Sequence, residues 1–375
     1  MDFIDPILYI GISQSFFAGL LIATKRPLTT ANQLMSAWLF LFFFEMLSAL
    51  INRNVLEVYS FPFISFTYGP ILYLYVIHLT DSNRKFDVVN LLHFIPFIVF
   101  FALSVILRKK PIFDDLSGFF ISDRFISLRI IFGVSFFLSI SVYSILSFIE
   151  IRRHQKHLMD TVSYTSARIT LNWLKVLSTT FYVGYLITFI LGGIQIFSPI
   201  LPFDPYVTAF IFITFFSFVY SFYVIKQPEI TEATGLVPED FDIPEAEKHE
   251  RYARSGLKSD IAAEYLDRLI EVMEREKLFL KSNFTIEDLS CATGIPKHHI
   301  TEVLNEKHGR NFFTFINEYR IKEVIARISD ARFQHYTIIA IAFDSGFNSK
   351  STFNTFFKSY TGKTPSQYRK SLQES

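Results

Sequence analysis

Seven apolar stretches, each about as long as the ~20 residues a helix needs to cross a ~30 Å hydrocarbon layer, occupy the first 225 positions of this 375-residue chain. They lie near Ile4–Thr24, Leu34–Ile51, Phe61–Thr80, Val88–Leu107, Ser127–Ile149, Leu174–Phe197 and Pro205–Ile225. A chain so patterned is confined to a helical membrane bundle, because only a helix satisfies its own backbone groups in lipid. Composition agrees: half of the residues are hydrophobic and 45 are Phe, which excludes an ordinary soluble protein. Asp2 and Asp5 stand where a cleaved leader would carry basic residues, so the first stretch is read as a retained span. The predicted fold class is all-α, with a seven-helix transmembrane bundle over residues 1–226 followed by a soluble helical domain.

Lys and Arg collect on the cytoplasmic side of a membrane. One set of connections, with Lys25, Arg26, Arg84, Lys85, Arg152, Arg153, Lys156, Arg168 and Lys226, holds nine. The opposite set, with Arg53, Arg108, Lys109, Lys110 and Arg124, holds five. The count places the C-terminus in the cytoplasm, the Arg108–Lys110 cluster running against the rule. Residues 227–258 then turn polar, with Pro228, Pro238 and Pro244 and eight acidic side chains, and are read as a flexible linker.

From residue 259 to 375 the spacing predicts helices and short turns. Ile261, Tyr265, Leu266, Leu269, Ile270 and Met273 form one apolar stripe. Thr285 with Asp288 three residues on is a capping-box pair opening a helix to Thr293, Gly294 makes a turn, and a second helix runs from Pro296 to about Lys307. Ile300, Val303 and Leu304 face inward in this reading, leaving Lys297, His298, Thr301, Glu302 and Asn305 outward. The plan repeats with Ile338–Ser345, Gly346, and a helix capped by Ser349 and ending near Tyr360. There Phe353, Phe356 and Phe357 point inward, and Lys350, Ser351, Asn354, Thr355 and Lys358 outward. Two short helices about a tight turn, the second presenting polar and basic residues, make a helix-turn-helix. The first pair covers about 285–308 and the second about 337–361. Between them, residues 311–329 form an amphipathic helix roughly 28 Å long, which approaches the ~34 Å between successive major grooves on one face of DNA.

The run from Ala342 to Arg369, AFDSGFNSKSTFNTFFKSYTGKTPSQYR, resembles the C-terminal signature of the AraC/XylS-type DNA-binding domain. Ile295 to Arg320, with Gly309, Phe312 and Asn317, resembles the first motif and linker helix of the same family. The resemblance implies a seven-helix domain whose two recognition helices read adjacent major grooves of promoter DNA. It places His298, Thr301 and Glu302 at base-facing positions of the first motif, and Lys350, Ser351 and Thr355 at those of the second. Glu302 and Thr355 stand where the family often has Arg, which removes the common bidentate contact to guanine. Lys297, Arg310, Lys358 and the backbone amide of Ser349 are the phosphate candidates. Arg320 and Arg369 match family positions and serve either phosphate or the fold.

In the membrane part, Glu45 is the ionisable residue that needs a role. Its depth, about 18 Å from the cytoplasmic end by helical rise, is near that of Gln14 and Tyr68, and these three are the candidate sensor pocket. A structural carboxyl holding helices together is the competing reading. His78 and His93 fall near span ends, and His154 and His157 fall in a juxtamembrane loop. No metal set converges, no cofactor motif appears, and no phosphate loop or nucleophile elbow marks an enzyme. Cys291, the single cysteine, is read as packing. The sequence therefore predicts a multi-pass regulator in the inner membrane that couples a membrane or extracellular signal to promoter binding. Its expected partners are double-stranded DNA, the lipid bilayer, a small-molecule or membrane signal and a second copy of the chain, with RNA polymerase as a further candidate. The alternative is a membrane transporter or scaffold with a regulatory helical tail.

Overall fold

The computed structural model describes residues 4–54, 63–81, 84–107, 124–165, 169–198, 200–203, 205–227, 257 and 259–373. Among these the architecture is all-α, with one isolated bridge between Val162 and Thr285. Apart from Gln227 and Leu257, the acidic linker lies outside the described residues, as does the Arg108–Lys110 cluster.

The chain divides into two compact units, with a division at residue 229, in the expected linker, and residues 153–170 assigned to the second unit as well. One unit comprises residues 1–152 and 171–229; the other comprises residues 153–170 and 230–375. In the first unit, α1 (Ile4–Ala23), α2 (Thr30–Asn54), α3 (Tyr68–Thr80), α4 (Ile95–Ile106), α5 (Ile126–Thr161), α6 (Asn172–Phe197) and α7 (Pro205–Lys226) account for the seven predicted stretches. Short 3₁₀ segments, Phe63–Thr67 and Val88–Phe94, lead into α3 and α4. Among the described residues, seven helical segments are long and apolar enough to cross a membrane. Their outward faces stay apolar, with Val88, Ile106 and Phe197 each more than 70% exposed, a surface suited to lipid and costly in water.

Small residues let these helices approach. A Cβ on Gly11 would meet the side chains of Met46 and Thr214, and one on Gly19 would meet the Phe40 ring at 3.2 Å. Aromatic rings fill the centre: Trp38 lies 5.1 Å from Phe42, 5.3 Å from Tyr220 and 5.7 Å from Phe181. At the end of α7 the Lys25 ammonium donates to the carbonyls of Val224 and Gln227, both at 2.7 Å, placing a cation at the negative end of that helix.

The fifth helix departs from the sequence reading. Its 36 residues make a rod of about 54 Å at helical rise, far longer than a ~30 Å hydrocarbon layer. It continues past Ile149 to Thr161, so His154 and His157 are helical and not in a loop. Polar composition after Ile149 marks where the apolar stretch ends and says nothing about where the helix ends.

The second unit holds α8 (Ser259–Glu276), α9 (Ile286–Thr293), α10 (Lys297–Glu306), α11 (Phe312–Ser329), α12 (Ile338–Asp344), α13 (Lys350–Thr361) and α14 (Pro365–Gln373). Seven α-helices from residue 259 onward is the count that the family resemblance implies. Each start is specified locally. Thr285 and Asp288 form the expected reciprocal capping box, and Asn311, Thr337 and Ser349 cap α11, α12 and α13 by accepting from the backbone three residues on. Burial alone would raise the Asp288 pKa, but hydrogen bonds from Lys281 and Thr285 outweigh it and hold the carboxyl below its ordinary value. Two cores result. One gathers Leu269, Leu289, Ile300, Leu304 and Phe315, and the other gathers Val324, Ile341, Phe347, Phe353 and Phe357, with α11 contributing to both. The inward reading of Phe356 is only partly met, since it is half-buried and edge-on to Phe313 at 6.0 Å. Cys291 is exposed, contrary to its packing assignment, because α9 turns Leu289 and Thr293 inward instead.

Gly346 has φ +97°, and a Cβ there would collide with the Phe279 carbonyl oxygen and come within 2.8 Å of Arg320 Nε. The Gly346→Ala substitution is expected to destabilise the second unit by about 2 kcal/mol or more, read as a lower unfolding midpoint of the full-length chain. The lowered Asp288 pKa stabilises the fold above the ordinary carboxylate pKa and ceases to do so as pH falls through the folded value. Asp288→Asn is accordingly expected to remove that acid-side slope from the stability–pH curve.

Candidate nucleic-acid interface

Helices α9 and α10 meet about Gly294, whose φ of +70° ends α9 in a left-handed cap. Helices α12 and α13 meet about Gly346. In each pair the second helix shows one face to solvent. On α13, Lys350, Ser351, Asn354, Thr355 and Lys358 are all exposed, while Phe353 and Phe357 are buried. Ser349 is half-buried; its hydroxyl accepts from the Thr352 amide and lies 2.8 Å from the Ser351 hydroxyl.

On α10, His298 and Asn305 are exposed and Thr301 is half-buried, its hydroxyl donating to the Lys297 carbonyl at 3.1 Å. Glu302 is different: it is 4% exposed and its carboxylate lies 3.6 Å from His299 Nδ1. The outward assignment of Glu302 is therefore corrected. The buried arc of α10 is wider than the Ile300–Val303–Leu304 stripe because α8 packs along it, with the Tyr265 ring 5.9 Å from His299.

Two phosphate candidates are held by neighbouring carboxylates. Lys297 Nζ lies 2.9 Å from Glu287, and Arg310 Nε donates to Glu318 at 2.8 Å. Such partly exposed pairs contribute roughly 0–1 kcal/mol, too little to keep either cation from a phosphate. Arg369 serves the fold, donating to the Tyr336 carbonyl at 2.9 Å.

Arg320, on α11, is 1% exposed and is a node of the unit. Its guanidinium donates to the carbonyls of Phe279 at 2.8 Å and Lys281 at 2.7 Å, and to the carbonyl and hydroxyl of Ser163 at 2.6 and 2.9 Å. The Phe347 ring lies 5.9 Å from it. Desolvation pulls its pKa down to about 9, so the group remains a cation at neutral pH. Asn317, one turn earlier, also donates to the Ser163 carbonyl, at 3.1 Å.

Ser163 belongs to the connection between α5 and α6, which the sequence reading treated only as a loop. Residues 158–165 are built into the second unit. The Ser163 amide and hydroxyl both donate to the Phe284 carbonyl, at 3.1 and 2.7 Å, beside the N-cap of α9. The Thr165 hydroxyl lies 3.1 Å from that of Thr352, in the first turn of α13. One short segment thus touches the turn that caps the first helix of one motif and the recognition-type helix of the other. His154 donates to the Ile169 carbonyl and Gln155 to the Thr170 carbonyl, both at 2.8 Å, closing the segment on itself around Leu158, Val162, Tyr164 and Ile169. The signal for this was present in Asn317 and Arg320, polar residues on the α11 face that also buries Ile316 and Ile321, but their acceptor is 154 or more positions away.

In the first unit, a cavity of about 590 Å3 is lined by Glu45 and Tyr68, two of the three candidate sensor residues. Gln14, from α1, is not among its lining residues. Depth along the span matched the three, but among the described residues the cavity is walled by α2, the first residue of α3 and the 3₁₀ segment before it, α5, α6 and α7, and α1 contributes no lining residue.

Residues 289–371 match a family described as a helix-turn-helix domain. Over 103 residues the chain is 31% identical to uncharacterized HTH-type transcriptional regulators of Staphylococcus aureus, strains COL and N315. The aligned part is 28% of this chain and 13% of each of those proteins, so the chain spans about an eighth of their length. No solved structure matches the chain. The family match covers most of the first helix pair and all of the second, and the chain carries an AraC-type helix-turn-helix domain at its C-terminal end, preceded by a helical region in which, among the described residues, seven apolar segments are of membrane-crossing length.

Arg320→Ala leaves the Ser163, Phe279 and Lys281 carbonyls without their shared donor and is expected to cost about 3 kcal/mol or more. Arg320→Lys should recover little, since a single ammonium does not span acceptors arranged around a planar fork. Thermal unfolding of both full-length variants checks this; a lysine variant as stable as the parent would contradict it.

Proposed function

We propose that the protein is a multi-pass transcription regulator of the inner membrane, with its C-terminal domain in the cytoplasm, that links a signal in the membrane domain to promoter binding. The observation that carries this reading is the Ser163–Arg320 junction. A connection between two apolar helices is a structural part of the helix-turn-helix unit, so rearrangement of α5 and α6 would be felt by both DNA-reading motifs. The acidic linker after α7 is then a second attachment and not the sole route.

Base reading is assigned to His298, Thr301 and Asn305 of α10 and to Lys350, Ser351 and Thr355 of α13, with Lys297, Arg310, Lys358 and the Ser349 amide on phosphates. Phosphate contacts make binding salt-dependent and base contacts make it sequence-dependent. The docked segment acts as a brace. By touching Phe284 and Thr352 together it holds the two motifs in one setting, and loss of the brace lowers affinity because that setting must then be selected from others. A signal shifts the balance only if it binds the braced and unbraced states unequally. Two copies on adjacent half-sites would gain from each other's proximity in the membrane.

Footprinting of DNA from the gene's own neighbourhood with the full-length chain in nanodiscs tests the reading. A protected site is expected. Lys350→Ala should weaken protection at that site by about tenfold, within the ~1–3 kcal/mol of a base contact, whereas Lys358→Ala should weaken all sequences alike and reduce the salt slope by about one. Ser163→Pro, which removes the amide donor to Phe284, is expected to lower affinity for the site without altering which bases are protected. No protection at any salt concentration would favour a scaffold that binds protein.

A further inference from the structure

The cavity in the membrane unit has an uneven chemistry. Its walls are largely aromatic and aliphatic, with Phe136, Phe181 and Phe212 among them, and its polar lining includes Glu45, Ser65, Tyr68 and Tyr185. The Ser65 hydroxyl donates to Glu45 Oε1 at 2.7 Å. The other carboxylate oxygen, Oε2, is buried with no hydrogen-bond partner, and so are the phenolic oxygens of Tyr68 and Tyr185. Buried polar atoms are rarely left in this state, because each costs roughly 1–3 kcal/mol. All three belong to residues that line this one cavity.

A partner common to them must bring hydrogen-bond donors, since a carboxylate oxygen only accepts and a phenol oxygen accepts as readily as it donates. An ammonium carries three donors and no acceptor. Its charge is favoured by the carboxylate and by the faces of the surrounding rings. The remaining volume, inside the ~300–1,000 Å3 range of small-molecule sites, is apolar and accommodates a hydrocarbon body. A fatty acid would set a second carboxylate against Glu45, and a plain hydrocarbon would leave all three oxygens unpaired.

We propose that this cavity is a binding site for a hydrophobic amine: a protonated amino head at Glu45, Tyr68 and Tyr185, and an apolar body along α5 and α6. The inference rests on the reading of the membrane unit as a sensor and names the class of molecule sensed. Binding and DNA recognition are measured separately, so failure of one does not disguise failure of the other.

The test uses the full-length chain in phosphatidylcholine nanodiscs at pH 7, with dodecylamine, dodecanol and dodecanoic acid as probes of equal chain length, binding to empty discs being subtracted. Dodecylamine is expected to bind about tenfold more tightly than either other probe, the scale of a hydrogen-bonded charge. Glu45→Gln keeps the shape and removes the charge, and should abolish that preference. A Cβ on Gly193, another lining residue, meets nothing within 4 Å, so Gly193→Leu should fold and fill the cavity, reducing amine binding by about tenfold or more. Equal binding of the three probes, tighter binding of the acid, or amine binding unaffected by both substitutions overturns the proposal.

Discussion

A guanidinium removed from water must be surrounded by acceptors, and this requirement at Arg320 organises the second unit. Arg320 draws together the turn after α8, through Phe279 and Lys281, the Phe347 side of the second motif, and Ser163 from the connection between α5 and α6. Without acceptors a buried cation would cost several kcal/mol, so these pieces are obliged to meet. Gly346 is the counterpart of that obligation: it has no side chain because Arg320 and the Phe279 carbonyl occupy the space a Cβ would take.

The same constraint explains why the units divide not only at the start of the acidic linker but also on either side of residues 153–170. Helix α5 outlasts the hydrocarbon layer, and the chain beyond Arg152 is packed with residues that are more than a hundred positions later. A domain attached only by a flexible tether would share the membrane with its sensor but not its conformation. A domain that includes a piece of an inter-helix connection has a mechanical reason to respond. Under the proposed function, a ligand that biased the bundle would need no long-range field, only a change in how residues 158–165 are presented.

Sequence legibility tracked the range of the interaction. The apolar segments were legible because lipid imposes length and hydrophobicity on every residue of a span. The helix pairs were legible because their caps and turns are local: Thr285 with Asp288, Gly294, Ser349 and the αL glycines act within four positions. Glu302 was misplaced because a three-residue stripe on a ten-residue helix does not define the full arc that α8 covers. Gln14 was grouped with Glu45 by depth alone, which ignores rotation about the helix axis. Ser163 could not be found by any local pattern, since its partners lie 121 to 157 positions away, and nothing in a short polar stretch distinguishes a docked segment from a solvated one.

The exchange of the backbone amides of residues 163–165 in the full-length, membrane-reconstituted chain tests the central claim most directly. Protection comparable to that at the start of α9, lost together with it in Arg320→Ala, is the expected result. Exchange at the rate of an open loop in the unaltered chain would contradict the claim that this connection is part of the DNA-reading unit.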